Sequence, residues 1–217
     1  MKRLKLTLAA VLVLAMASAA SAQVLWDQSD FDAFGPGFFN SESGSPPFGI
    51  TSHTVNHITV PGPWHMTRIS VFFSATDPGF GAGIFQGYLH VWPKTGSVPT
   101  EDPMTSPVVL MTATSQVGPN GEYFEVSTVD LDMNIGAGEY WIGITPIAAA
   151  GPFGPEIHMA AISQYGDAST SYDVFGFPAP MWMNMVAGVD ASILIEGSGP
   201  VPNESGSVGG LKAQFDN

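Results

Sequence analysis

Met66-Thr67-Arg68-Ile69-Ser70-Val71-Phe72-Phe73-Ser74 places Ile69, Val71 and Phe73 on one side of an extended chain and Arg68, Ser70 and Phe72 on the other. That two-residue period marks a half-buried β-strand. Residues 87–92 repeat it, with Leu89 and Val91 opposite Tyr88, His90 and Trp92. Further strands are predicted at 107–112, 123–130, 139–145, 157–163 and 191–196, and shorter ones at 24–26 and 57–60. Clusters of Gly, Pro, Asn, Asp and Ser separate these pieces, for example at 35–49, 77–83, 93–106 and 175–180. After residue 22 no segment keeps a helical period for long. Residues 147–150 and 181–187 are the best helical candidates, but they are short and hemmed in by Pro or Gly, so loops or single turns are expected there. Without crossover helices the strands must pair antiparallel. The expected fold is all-β, an antiparallel, jelly-roll-like β-sandwich of about eight or nine strands. No internal repeat points to a propeller or a β-helix.

The first residues carry an address. Lys2, Arg3 and Lys5 precede an apolar run at 6–16, and the small residues Ala20-Ser21-Ala22 follow. This is the pattern of a secretory signal peptide cleaved before Gln23. The apolar run is about half the ~20 residues a bilayer-spanning helix needs. Three domains of sequence result: a signal peptide at 1–22, the sandwich at 23–197, and a flexible Gly/Ser-rich tail at 198–217. Cleavage removes three of the six basic residues and none of the nineteen acidic ones, so the mature chain carries a net charge of about −16. Such a surface repels phosphate backbones and anionic lipid, which argues against nucleic-acid binding, and no later stretch is long or apolar enough to insert in a membrane after cleavage. With no cysteine in an exported chain, stability must come from packing or bound metal. The expected location is secreted, periplasmic or at the cell surface.

The run Leu131-Asp132-Met133-Asn134-Ile135-Gly136-Ala137-Gly138-Glu139-Tyr140-Trp141-Ile142-Gly143-Ile144 has a physical reading of its own. Gly136 and Gly138 permit a tight reversal, after which Tyr140, Ile142 and Ile144 face a core and Trp141 faces away. The same run resembles a stretch of exported bacterial sandwich domains of the PEP-CTERM or choice-of-anchor kind. Residues 24–28, 64–69 and 190–197 are similar to the start, an early strand and the last strand of that group. The resemblance implies a secreted bacterial β-sandwich without known activity, and it carries over no catalytic residue. Val201-Pro202-Asn203 resembles the start of its sorting tail, but no apolar span or basic end follows in this sequence.

Nucleophile and phosphate signatures are absent: the chain has no G-x-S-x-G elbow, no thiol, no H-E-x-x-H and no Walker loop. A non-catalytic protein is therefore expected. Carboxylate pairs such as Glu122 with Glu125 or Asp130 with Asp132 keep a secreted glycoside hydrolase as a third reading. Asp27, Asp30 and Asp32 offer hard oxygen donors close in sequence, a candidate calcium site set against a solvated acidic turn. His53, His57 and His65 raise the same question for zinc or nickel, although no Cys or well-placed acid completes the set. Tyr88, His90 and Trp92 would line one sheet face, with Trp64 extending it, as a platform for sugar rings. Core packing is the competing account of these rings, and it is the one expected for Trp26, Trp141 and Trp182. Met181, Met183 and Met185 alternate in a way that suits core filling or an adaptable surface. Two functional expectations stand side by side. One is a carbohydrate- or surface-binding module, whose partner is a polysaccharide or a cell-surface component. The other is a structural envelope or matrix protein with no small-molecule ligand.

Overall fold

A computed structural model describes residues 22–30, 37–40, 51–74, 84–118, 121–147, 156–158, 163–173, 181–184 and 188–201. Residues 1–21 of the signal peptide, Asp32, Met185 and residues 202–217 of the tail lie outside these. The strands are β1 (Gln23–Gln28), β2 (Gly37–Phe39), β3 (Thr51–Val60), β4 (Trp64–Ser74), β5 (Gln86–Pro93), β6 (Val108–Gly118) and β7 (Gly121–Thr128). They continue with β8 (Met133–Ile135), β9 (Gly138–Pro146), β10 (Glu156–His158), β11 (Ser169–Asp173), β12 (Met181–Asn184) and β13 (Ile193–Ser198). Among the described residues there is no α-helix, only a 3-10 turn at Pro103–Thr105.

All strand pairs are antiparallel, and ten strands form one hydrogen-bonded path in the order β1-β13-β4-β7-β6-β5-β9-β3-β11-β12. The short strands β2, β8 and β10 attach beside it. The sheet curls as a half-barrel, bringing β4 into contact with β9 although β7, β6 and β5 separate them in order. Antiparallel all-β architecture is thus as the alternating runs imply.

The curl wraps an apolar core. Ile69, Val71 and Phe73 of β4 meet Ile142 and Ile144 of β9 inside one buried cluster, with Leu89, Val126 and Ile195 completing it from β5, β7 and β13. Each such side chain removed from water contributes roughly 1.5–3 kcal/mol. Two bulges adjust which residues reach that core. Glu196 and Gly197 of β13 oppose Arg68 and Met66 of β4, so Thr67 is an extra residue and the alternation of β4 resets there. A second bulge in β1 leaves Leu25 and Trp26 both buried. Asn56 closes the curl from within: its Nδ2 donates to the Ala191 carbonyl (3.0 Å) and its Oδ1 accepts from the Ala191 amide (2.8 Å), the two bonds a neighbouring strand would otherwise supply.

Several elements differ from the sequence expectation. β3 begins at Thr51, six residues before the predicted 57–60, and β11 was not anticipated, because T-S-H-T and S-T-S read as loop. Residues 181–184, expected in a loop or turn, form β12. Of the expected strand at 157–163, Glu156–His158 is extended and 159–162 lie outside the described residues. Ser198 belongs to β13, and Pro200 accepts a hydrogen bond from Trp64 Nε1 at 2.7 Å, so the chain is still anchored where the tail was expected to begin.

Candidate functional site

The curled strands enclose a second interior on their opposite face. Register places Tyr88, His90 and Trp92 of β5 beside Thr145, Gly143 and Trp141 of β9, then His57 and His53 of β3, Ser171 of β11 and Trp182 of β12 on this one face. β12 lies four places from β5 in the strand order, about 19 Å on a flat sheet at ~4.8 Å per strand. Yet the Trp92 and Trp182 ring centroids are 5.6 Å apart, edge to face. The strands therefore bend toward this face too, and it becomes concave. The segment after β5 helps fill the space: Trp182 Nε1 donates to the Glu101 carbonyl (2.8 Å), and Asp102 caps the 3-10 turn that delivers Ser106.

The floor of this chamber is polar. His90 is fully buried, with Nδ1 2.9 Å from Ser106 Oγ and Nε2 3.1 Å from both His53 Nδ1 and Thr145 Oγ1. Thr145 Oγ1 donates to Asn40 Oδ1 (2.7 Å), so it accepts from His90 Nε2, and Ser106 then donates to Nδ1. That direction at Nδ1 is the one a neutral ring takes, whereas an imidazolium would donate to Ser106 Oγ instead. Burial lowers the His53 pKa to about 3, and burial together with the neighbouring His53 holds His90 well below its ordinary value. Asn40 adds a strand-like joint. Beyond the Asn56–Ile142 pair its amide bridges β3 and β9, accepting from the Thr54 amide (3.1 Å) and donating to the Ile144 carbonyl (2.9 Å).

The rim is charged. His57, whose side chain is 12% exposed, meets Glu139 through Nε2 and Asp167 Oδ2 through Nδ1, the latter at 3.1 Å. Thr59 Oγ1 donates to Glu139 Oε1 (3.0 Å) and also meets the Tyr165 hydroxyl, while Tyr165 stacks on the His57 ring at 4.1 Å. Burial pushes the Glu139 pKa up, but hydrogen bonds from His57 and Thr59 and the charges of His57 and Lys94 outweigh it, so the net shift is downward. Lys94 Nζ lies 3.5 Å from Asp167 Oδ2 and 4.7 Å above the Trp141 ring. The loop carrying Tyr165 and Asp167 is held by the buried Asp190 carboxylate. That group accepts from the amides of Gln164 (2.8 Å), Tyr165 (3.0 Å) and Asp167 (3.1 Å), and from Gln28 Nε2 (2.9 Å).

No known family model, curated protein or solved structure matches this chain. The site therefore rests on its own residues.

Of the four residues expected to form an aromatic platform, Tyr88 and Trp92 share the concave face and are partly exposed. His90 shares the face but is fully buried with both ring nitrogens engaged. Trp64 corrects the expectation outright: the bulge at Thr67 turns it into the apolar core, where it is 1% exposed. Trp182, assigned to packing, lies on this face beside Trp92. The signal for it was the alternation of Met181 and Met183 around a tryptophan, a strand pattern read as a turn. Trp26 and Trp141 are buried, as their packing assignment requires.

The acidic candidates are dispersed. Asp27 Oδ1 caps a turn by accepting from the Ser29 amide at 2.9 Å, Asp30 is exposed, and Asp32 is outside the described residues. Among the described residues no three His, Asp or Glu side chains are arranged to hold a metal ion. His53 and His57 share a face, but four residues of strand separate them by about 13 Å, too far to share one ion. His65 pairs with Asp132 at 2.7 Å on another part of the sheet. Glu125 is engaged by Arg68 at 2.6 Å, and Asp130 is exposed. The side chain of Glu122 is outside the description.

Proposed function

We propose that this chain is an exported, non-catalytic binding module that takes a carbohydrate or a carbohydrate-bearing surface at the concave aromatic face. The single observation behind the reading is the Trp92–Trp182 pair, two partly exposed indoles meeting edge to face with Tyr88 on the same strand. Indole faces accept the axial hydrogens of a sugar ring, while neighbouring polar groups take its hydroxyls. Glu139, Thr59 and Tyr165 supply such groups at the rim. The secretory leader and the resemblance to exported bacterial sandwich domains belong to the same reading. So does a two-layer, jelly-roll-like description, in which the curl that carries β4 onto β9 makes one sheet serve as two facing layers.

Retention on a panel of insoluble polysaccharides tests it. The wild-type chain is expected to bind at least one, and Trp182→Ala and Trp92→Ala to weaken binding about tenfold or more, the equivalent of ~1.4 kcal/mol. Val117→Ser, on the far end of β6 and 80% exposed, serves as the control and retains binding. Equal retention by all variants, or none by the wild type, rejects the reading.

A structural matrix role is favoured by a different observation. Val108, Leu110 and Phe85 at the β5–β6 junction are 50%, 63% and 66% exposed, a surface suited to association with other macromolecules.

A further inference from the structure

We propose that Glu139, His57 and Asp167 form a proton-operated clasp at the mouth of the chamber: the protonated ring holds both carboxylates, and the neutral ring keeps Asp167 and releases Glu139. The inference holds whatever ligand the chamber takes.

Hydrogen counting carries it. Both nitrogens of His57 face carboxylate oxygens, Nε2 toward Glu139 and Nδ1 toward Asp167. An imidazolium has two N–H donors and satisfies both, whereas a neutral imidazole has one, leaving a ring lone pair against a carboxylate. One contact must then open.

The surroundings select which. Asp167 is 27% exposed, Lys94 lies 3.5 Å from its Oδ2, and its own amide is tied to Asp190 at 3.1 Å. Glu139 is 49% exposed on a longer side chain, and water can replace the ring as its donor. Among the described residues the groups facing His57 are Glu139 on β9, Asp167 and Tyr165 on the loop before β11, Thr59 on its own strand, Trp141 on β9, and Lys94 through Asp167. Lys94 acts on both carboxylates, but of the two it lies within ion-pair distance of Asp167 only, at 3.5 Å, so the asymmetry does not depend on the ring. When Glu139 swings away it withdraws its acceptor from Thr59, which also touches the Tyr165 hydroxyl. The proton on His57 is thereby coupled to Tyr165 at the rim.

A pH titration of the isotopically labelled full chain by NMR reads this directly, between about pH 5 and 8, where histidine side chains as a class change charge. The Thr59 methyl, Tyr165 ring and Trp141 indole signals are expected to move in one step together with the His57 ring nitrogens. In His57→Gln that step is lost. In Glu139→Gln the Tyr165 ring, stacked on His57 at 4.1 Å, still feels the charge of the ring, but the Thr59 step, which reports the withdrawn carboxylate, vanishes, because an amide can accept from or donate to the ring and so stays in place in both states. A Thr59 step unchanged in either variant, or no step in the wild type, overturns the clasp. Should His57→Gln fail to fold, the Glu139→Gln comparison decides alone.

Discussion

β9 is buried on both sides and solves each side differently. Its residues Ile142 and Ile144 enter the apolar core, where non-directional contact suffices. One residue along, Trp141, Gly143 and Thr145 face the chamber, where His53, His90, Ser106 and Asn40 are linked by directed hydrogen bonds. Gly143 allows the approach: a Cβ there would lie 2.2 Å from the Thr54 carbonyl of β3. The contrast teaches that the chain stakes its stability in two ways. The apolar side degrades gradually as atoms are removed, whereas the polar side holds only while every donor keeps its acceptor and the imidazoles stay neutral.

Acid should therefore attack one face and spare the other. With His53 lowered to about 3 and His90 also lowered, an unfolded chain near 6.5 takes up protons that the folded chain refuses. Stability is fully present above about pH 6.5 and is lost as pH falls toward the folded values. Each imidazole contributes a slope on the order of 1.4 kcal/mol per pH unit. Glu139, lowered from 4.5, adds to the loss only further down, below the window from about 6.5 to 4.5. Denaturant melts across that window should show stability falling with pH, and His53→Leu should flatten the curve. A His53→Leu curve as steep as that of the wild type between about pH 6.5 and 4.5 would contradict a neutral buried imidazole at that position.

Truncation of the apolar side should show the opposite signature. Ile142→Ala is expected to cost about 2–5 kcal/mol through lost contact and a residual cavity, by the same amount at pH 7 and at pH 5. A cost that changes with pH by more than about 1 kcal/mol would mean that the two faces are coupled through β9 and do not act as separate interiors.

How much of this could be read from sequence follows from the same division. β4 and the inner face of β9 were legible because apolar alternation is a local signal, and Tyr88 and Trp92 were placed on one face by it. β3 from Thr51 and β11 were not, since Ser52, His53, Thr54 and Ser169–Ser171 are buried polar residues that imitate a loop. Their partners are remote: His90 lies 37 residues from His53, and Thr170 lies 116 from Thr54. No window of local pattern contains such a pair. Trp64 was misplaced for a third reason, a one-residue bulge at Thr67 that inverts the alternation without leaving a mark in residue type. The rim was illegible as well, because Glu139 and Asp167 reach His57 across 82 and 110 residues.

The two asparagines offer the finest comparison, since the same side chain serves both interiors. Asn56 stands among apolar neighbours and satisfies the amide and carbonyl of one residue, Ala191. Asn40 serves three groups, the Thr54 amide, the Ile144 carbonyl and the Thr145 hydroxyl, and the last of these is part of the imidazole chain. Replacement by alanine leaves buried polar groups without partners, at about 1–3 kcal/mol for the first lost bond. Asn40→Ala should cost more than Asn56→Ala by chemical melts, because it also removes the acceptor that orients Thr145 toward His90. Restoring oxygen alone, as in Asn40→Asp, should not rescue it, since a carboxylate opposes the Ile144 carbonyl and adds a buried charge. The informative failure is an Asn40→Ala variant as stable as the wild type. β3 and β9 would then have extended their ladder by pairing Thr54 directly with Ile144, and the asparagine would be a wedge that holds two strands apart to make room for the chamber, at the expense of the regular sheet.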